Sequence, residues 1–144
     1  MPTLQLRTAP LQNPERYAAL AHALTALTAR VLGKRAEVTA VLIDDLPAAR
    51  WSIGGVATTQ PTALLEIDIT AGTNTEAEKA AFVQAAWAEL QQQLGAGQPL
   101  AEASYVIVRE LSASSWGYGG LTQAARQAAL RHQAESCPST TGCK

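Results

Sequence analysis

With 144 residues, 47% of them hydrophobic and 16% charged, the chain has the length and composition of one compact domain with a real core. Eleven Lys and Arg against twelve Asp and Glu give a net charge of -1 without clustering, so neither a nucleic-acid backbone nor a membrane surface is an expected partner. No apolar run is long enough to cross a bilayer and no basic-then-apolar leader opens the chain; a cytoplasmic protein with a small neutral or anionic ligand is expected.

Thr3 to Thr8 reads as a short strand opened by Met1-Pro2. Asn13-Pro14-Glu15 is a helix start, with Asn13 as cap, Pro14 at the first helical position and Glu15 at the positive end of the dipole. Tyr17, Leu20, Leu24, Leu27 and Val31 recur at steps of three and four until Gly33, which predicts a helix over 14–32. Val38 to Ile43 is aliphatic and β-branched and reads as a strand buried on both faces. Strand, helix and strand in this order form a parallel β-α-β unit. Trp51-Ser52-Ile53-Gly54-Gly55 comes next as a tight reversal. The strand 64–70 is next, then a helix from the capping-box pair Thr75 and Glu78, with Val83, Trp87, Leu90 and Leu94 as its stripe and Gly95 as its stop. A strand over 104–111 leads to Trp116-Gly117-Tyr118-Gly119-Gly120, and 121–135 reads as a weakly amphipathic helix.

The two aromatic-Gly-Gly segments repeat at an offset of 65 and the first strands at about 61, so two β-α-β modules, 2–57 and 63–120, are fused head to tail, with an extension and tail over 121–144. The expected fold is α/β (α+β): a four-stranded mixed sheet with two helices on one face. The apolar strands 38–43 and 104–108 should leave a second apolar face, which oligomerisation would cover. Arg7, with Asp68 at the matching place of the second module, reads as a cross-strand ion pair.

If Met1 is trimmed, Pro2 becomes a secondary amine at the chain terminus, a base that no internal residue supplies. An α-amino group titrates near 7.7–8.0, and desolvation or a neighbouring cation leaves it neutral at physiological pH, able to move a proton between carbon and oxygen. Pro2 is the candidate catalyst. Tyr105 and Arg109, four residues apart on one strand, share a face and are candidate substrate-binding groups, with an ion pair as the alternative for Arg109. Lys34, Arg35 and Arg50 read as solvated charges, with the mouth of a site beside Trp51 as the alternative for Arg50, and His22 and His132 lack partners at ligand spacing. Cys137 and Cys143 sit in a polar tail and read as free thiols rather than a metal site. No metal and no cofactor is expected.

Pro2 opening a strand, the capped helix, the buried strand and the two aromatic-Gly-Gly hairpins resemble the tautomerase superfamily in its 4-oxalocrotonate tautomerase branch. Two modules in one chain bring the likeness closer to fused members and to the cis-3-chloroacrylic acid dehalogenase type. The resemblance implies a homotrimer with Pro2 as the proton carrier and Trp51 and Trp116 as apolar walls. Only Pro2 can react, because Ala63 takes its place in the second module. It also implies arginines just after the first strand and within the second, where this chain has Gln12 and Thr73, then Ala40 and Tyr105; dehalogenase-like members use two more where Thr70 and Thr73 stand. Gln12 is therefore carried as a substrate-binding candidate, with Arg109 as a replacement cation. The activity implied is keto-enol isomerisation of a 2-oxo or 2-hydroxy-dienoate type acid. The alternatives are a hydratase, dehalogenase or decarboxylase with cationic Pro2 as acid, or a non-catalytic scaffold.

Overall fold

The computed structural model describes residues 1–136; the expected free thiols Cys137 and Cys143 lie outside the described residues. By compactness the chain forms two units, Met1–Glu110 and the segment from Leu111 onward. The first unit contains β1 (Thr3–Ala9), α1 (Pro14–Leu32), β2 (Ala40–Asp45), the hairpin strands β3 (Ser52–Ile53) and β4 (Val56–Ala57), β5 (Thr62–Thr70), α2 (Glu76–Leu94) and nearly all of β6 (Tyr105–Leu111). The second has the hairpin β7 (Gly117–Tyr118) and β8 (Leu121–Thr122), then α3 (Gln123–Glu135). No described helix is long and apolar enough to cross a membrane.

The main sheet has the order β2-β1-β5-β6. β1 runs parallel to β2 and antiparallel to β5. Ala63 meets Ser104 and Asp68 meets Arg109 at the same sequence separation of 41, so β5 and β6 run parallel. This is the expected mixed sheet. Leu4 and Leu6 of β1 and Leu65, Ile67 and Ile69 of β5 point to one side, where Leu20, Leu24 and Leu27 of α1 and Phe82, Ala86 and Leu90 of α2 meet them in a single core. Both helices therefore lie on one face, and the two repeats share one interior.

Local chemistry explains the helix ends. α1 starts at Pro14 as expected, but the Asn13 side chain makes no capping bond; its carbonyl alone accepts from Arg16. α2 carries the full capping box, with Thr75 accepting from the Glu78 amide and Glu78 accepting from the Thr75 amide. α1 stops on Gly33 at φ 68, whereas Gly95 is right-handed at φ -65, and the reversal after α2 passes to Ala96 and Gly97. Both hairpins turn on paired glycines at positive φ, Gly54-Gly55 and Gly119-Gly120, as a two-residue loop that matches strand twist requires.

Four expectations need correction. The second strand begins at Ala40, because Ala36–Val38 coils into a short 3₁₀ turn, and as an edge strand it is only half-buried. The α2 stripe departs in its first half: Phe82 and Ala86 are fully buried while Val83 is 38% exposed and Trp87 only partly buried, whereas Leu90 and Leu94 lie in the core as expected. Arg7 faces Leu64 and Asp44 rather than Asp68, which stands opposite Thr3. The helix-free face of the sheet is not apolar, since alternation on the two central strands puts Thr3, Gln5, Arg7, Glu66 and Asp68 there. The apolar groups on it are Leu64 of β5, opposite Arg7, and the edge residues Leu42 on β2 and Ile107 on β6.

Truncating Phe82 to Ala should cost about 3–5 kcal/mol in a urea unfolding experiment, as for other buried aromatics. Val83→Ala should cost no more than about 1 kcal/mol; the reverse ranking would restore the sequence-based phase.

Candidate active site

Pro2 is buried, and its carbonyl accepts the Ala40 amide at 3.3 Å, which pins it where β1 and β2 start side by side. The parallel pairing has a geometric consequence. A helix joining two parallel neighbours returns the chain to the end where the first strand began. The loop after α1 therefore arrives at Pro2, and it brings Lys34 and Arg35. Lys34 is half-buried and donates from Nζ to Thr73 Oγ1 at 2.9 Å. Among the described residues no carboxylate lies within ion-pair distance of it. Burial pushes its ammonium pKa down, against the pull of Glu78. Arg35 pairs with Glu37 at 3.0 Å in solvent.

The terminal ammonium at Met1 reports the field at this end. Its pKa lies below the ordinary α-amine value, first through burial and then through the positive charges of Lys34 and Arg35. Pro2 is one residue deeper. The corresponding end of the second module has neither part of this arrangement: Ala63 is fully buried with its amide spent on Ser104 Oγ at 3.0 Å, and the loop after α2, Gly95 to Gln98, contains no cation.

The other candidates fall in three places. Arg109 reaches across the open face to Asp68, with Nε at 2.8 Å from Oδ1, and to Glu66 at 3.5 Å. Asp68 also accepts from Thr3 Oγ1 at 3.3 Å, which ties this cluster to the residue beside Pro2. The Asp68 carboxylate, with Glu66 behind it, raises the Arg109 pKa further. Tyr105 shares that face but sits at the far end of β6, 60% exposed, lining a cavity of about 590 Å³ with Ile53, Val56, Thr58, Gln60 and Ala103. Gln12 and Trp51 are also at the far end. Gln12 donates its amide to Asp45 Oδ2 at 2.7 Å and its side chain to Pro10 O at 2.8 Å, while Trp51 is half-buried at the entry to the first hairpin. The length of β1 places both roughly 20 Å from Pro2 within one copy. Trp116 belongs to the second unit, where its carbonyl accepts the Gln123 amide at 2.9 Å and its indole N–H is buried without an acceptor.

One copy therefore brings Pro2 together with Lys34 and Arg35, and leaves Gln12, Trp51 and Tyr105 at the opposite end. The residue pattern alone assigns Lys34 and Arg35 to solvent. The signal that could have found them is topological, a cation directly after the glycine stop of a crossover helix.

Residues 2–60 match the family described as tautomerase enzyme. A fused 4-OT forming an asymmetric trimer aligns at 27% identity and a TM-score of 0.75, over 86% of this chain and 98% of that one. The first module therefore matches the tautomerase family, and the chain as a whole is similar to fused members of it. Native fused 4-OT aligns at 26% identity and a TM-score of 0.73, over 85% of this chain and 97% of that one. A macrophage migration inhibitory factor-like protein from Entamoeba histolytica shares the fold at 19% identity and a TM-score of 0.67, over 84% of this chain and 97% of that one. No curated protein matches. The superfamily match falls on the module that carries Pro2, Lys34 and the first hairpin, and the whole-chain matches extend over both modules.

Mass spectrometry of the purified chain should give an intact mass short by one methionine. A retained Met1 would leave the Pro2 nitrogen as a tertiary amide with no basicity.

Proposed function

We propose that the chain is a cofactor-independent keto-enol tautomerase in which the Pro2 amine carries the proton and Lys34 holds the carboxylate of a 2-oxo or 2-hydroxy-dienoate type acid. The observation that carries this reading is the position of Pro2, buried at the end of the sheet to which the loop with Lys34 and Arg35 returns; the Met1 ammonium one residue before it is held below the ordinary α-amine value by burial and then by the same two cations. A neutral secondary amine takes the enol hydroxyl proton, the oxygen lone pair becomes the carbonyl π bond, and the alkene carbon recovers the proton from the ammonium. Every atom and electron is conserved, so no oxidant, reductant or cofactor enters. The alternatives that use cationic Pro2 as an acid require a charged amine at neutral pH, and both cations oppose that state.

Lys34 suits the carboxylate better than Arg109. Arg109 already faces two acids, whereas Lys34 has only a hydroxyl partner. A charge-assisted bond from a partly desolvated ammonium contributes about 1.5–3 kcal/mol. The remaining candidates, Gln12, Trp51, Tyr105 and Trp116, are proposed as wall and rim contributed by neighbouring copies in a homotrimer. The far-end position of the first three supports that assignment, as does the trimeric state of fused 4-OT.

Pro2→Ala should abolish turnover of a simple enol such as phenylenolpyruvate while leaving assembly intact; an unchanged rate would dismiss Pro2 as the catalyst. A base loses activity as pH falls through its pKa. Removing a nearby positive charge makes the ammonium form easier to hold, so Lys34→Gln should move the acid limb of the pH-rate profile to higher pH. The same variant should raise KM by about tenfold or more. A limb that moves the other way would show that Lys34 does not act on the amine.

A further inference from the structure

The two hairpins, related by an offset of 65, differ in how the chain leaves them. After β8 the chain turns straight into α3. Thr122 caps that helix by accepting the Ala125 amide at 3.0 Å, and the first helical amides, of Gln123 and Ala124, donate back to Trp116 O at 2.9 Å and Ala113 O at 2.8 Å. Helix-start amides need such acceptors, so the start of α3 is fastened to the segment that leads into the hairpin. One turn further on, Arg126 folds back over the hairpin. Its guanidinium carbon is 3.8 Å from the centroid of the Tyr118 ring and its Nη2 donates to Tyr118 O at 2.8 Å, although its Nε–H finds no acceptor. A Cβ on Gly119 would stand 2.8 Å from that Nη2, so Gly119 is needed both for φ +60 and as the floor under the guanidinium.

Of these contacts the first hairpin keeps only the counterpart of the Gln123 amide on Trp116 O. Ile53 stands where Tyr118 does and Pro61 where Arg126 does, and a Cβ on Gly54 would meet nothing within 4 Å. Its closing contact is the Thr58 amide on Trp51 O at 2.8 Å. We propose that Arg126 is a positioning residue that holds the second hairpin in one conformation, making Trp116, and not Trp51, the pre-ordered indole of the chain. Pre-ordering matters because a wall that must be fixed at each encounter weakens binding by the entropy of fixing it. The kinetic consequence rests on the reading of Trp116 as part of the substrate wall; the conformational one does not.

Amide hydrogen exchange on the full chain tests both. After correction for intrinsic rates, Gly119 to Leu121 should exchange about tenfold more slowly than Gly54 to Val56, the range expected for a cation-π contact plus one hydrogen bond. Arg126→Met should remove that excess and Arg126→Lys should keep part of it. Gly119→Ala and Gly54→Ala impose the same strain at φ near +60, so the larger loss of protection expected for Gly119→Ala isolates the guanidinium seat, and the difference should vanish in an Arg126→Met background. Equal protection of the two hairpins in the wild-type chain, or no response to Arg126→Met, overturns the proposal. Arg126→Met should also raise KM while the acid limb of the pH profile stays in place. A changed exchange rate with an unchanged KM leaves the positioning role standing and removes Trp116 from the substrate wall.

Discussion

The parallel pairing of β1 with β2 decides which loop meets Pro2 in this chain. It requires a crossover, and the crossover helix must return to the end of the sheet where β1 begins. That single constraint delivers Gly33, Lys34 and Arg35 to Pro2. The left-handed glycine allows the sharp exit from α1, and the Ala40 amide on Pro2 O closes the arrangement. A strand order with β2 antiparallel to β1 would have placed the same cations roughly 20 Å away.

The paired strands β1 and β5 are related by a pseudo-twofold axis, but only one end joins a buried proline to a loop that carries cations. The register shows the symmetry: Thr3 opposite Asp68 and Arg7 opposite Leu64 are related by the offset of 61 that relates the strands. The symmetry breaks in side chains and covalent structure. At the second end the chain continues through Pro61 into Ala63, so the nitrogen is an amide, and the loop after α2 carries Gly95, Ala96 and Gly97 in place of a cation. A second reactive end would need both a free amine and a cationic loop, and no substitution supplies a free amine in mid-chain.

Much of this is legible in the residues. The 3.6-residue stripe of α1, the capping box of α2 and the glycine pairs at an offset of 65 each state a local physical preference, and tertiary structure agrees with them. The misreadings have local causes. The first half of α2 is rich in alanine, so its apolar stripe is faint there, and a shift of one residue turns the face by about 100°; that puts Val83 in the place of Phe82, while Leu90 and Leu94 further on are buried as read. Repeat position pairs Arg7 with Asp68, but antiparallel register pairs residues whose numbers run in opposite directions. Lys34 gives no signal of its own, because a lysine in a loop has the same local pattern whether solvent or a buried amine lies beside it. Its place near the chain terminus emerges only once strand direction is known.

The sources of the field at Pro2 are unequal in strength. Arg109 lies on the same sheet, but with Asp68 and Glu66 it forms a cluster of net charge -1, so it contributes little positive potential. The C-terminal dipole of α1, equivalent to roughly half a negative charge, partly offsets Lys34 and Arg35. At an effective dielectric near 20, a unit charge about 8 Å away contributes about 2 kcal/mol before such offsets. Burial is the larger effect on the terminal amine. A base held neutral mainly by exclusion of water keeps most of its low basicity when one cation is lost, whereas opening the site to solvent would restore its affinity for the proton. On the proposed reading, closure of this end of the sheet sets the proton affinity of a free Pro2 amine, and the two cations adjust it.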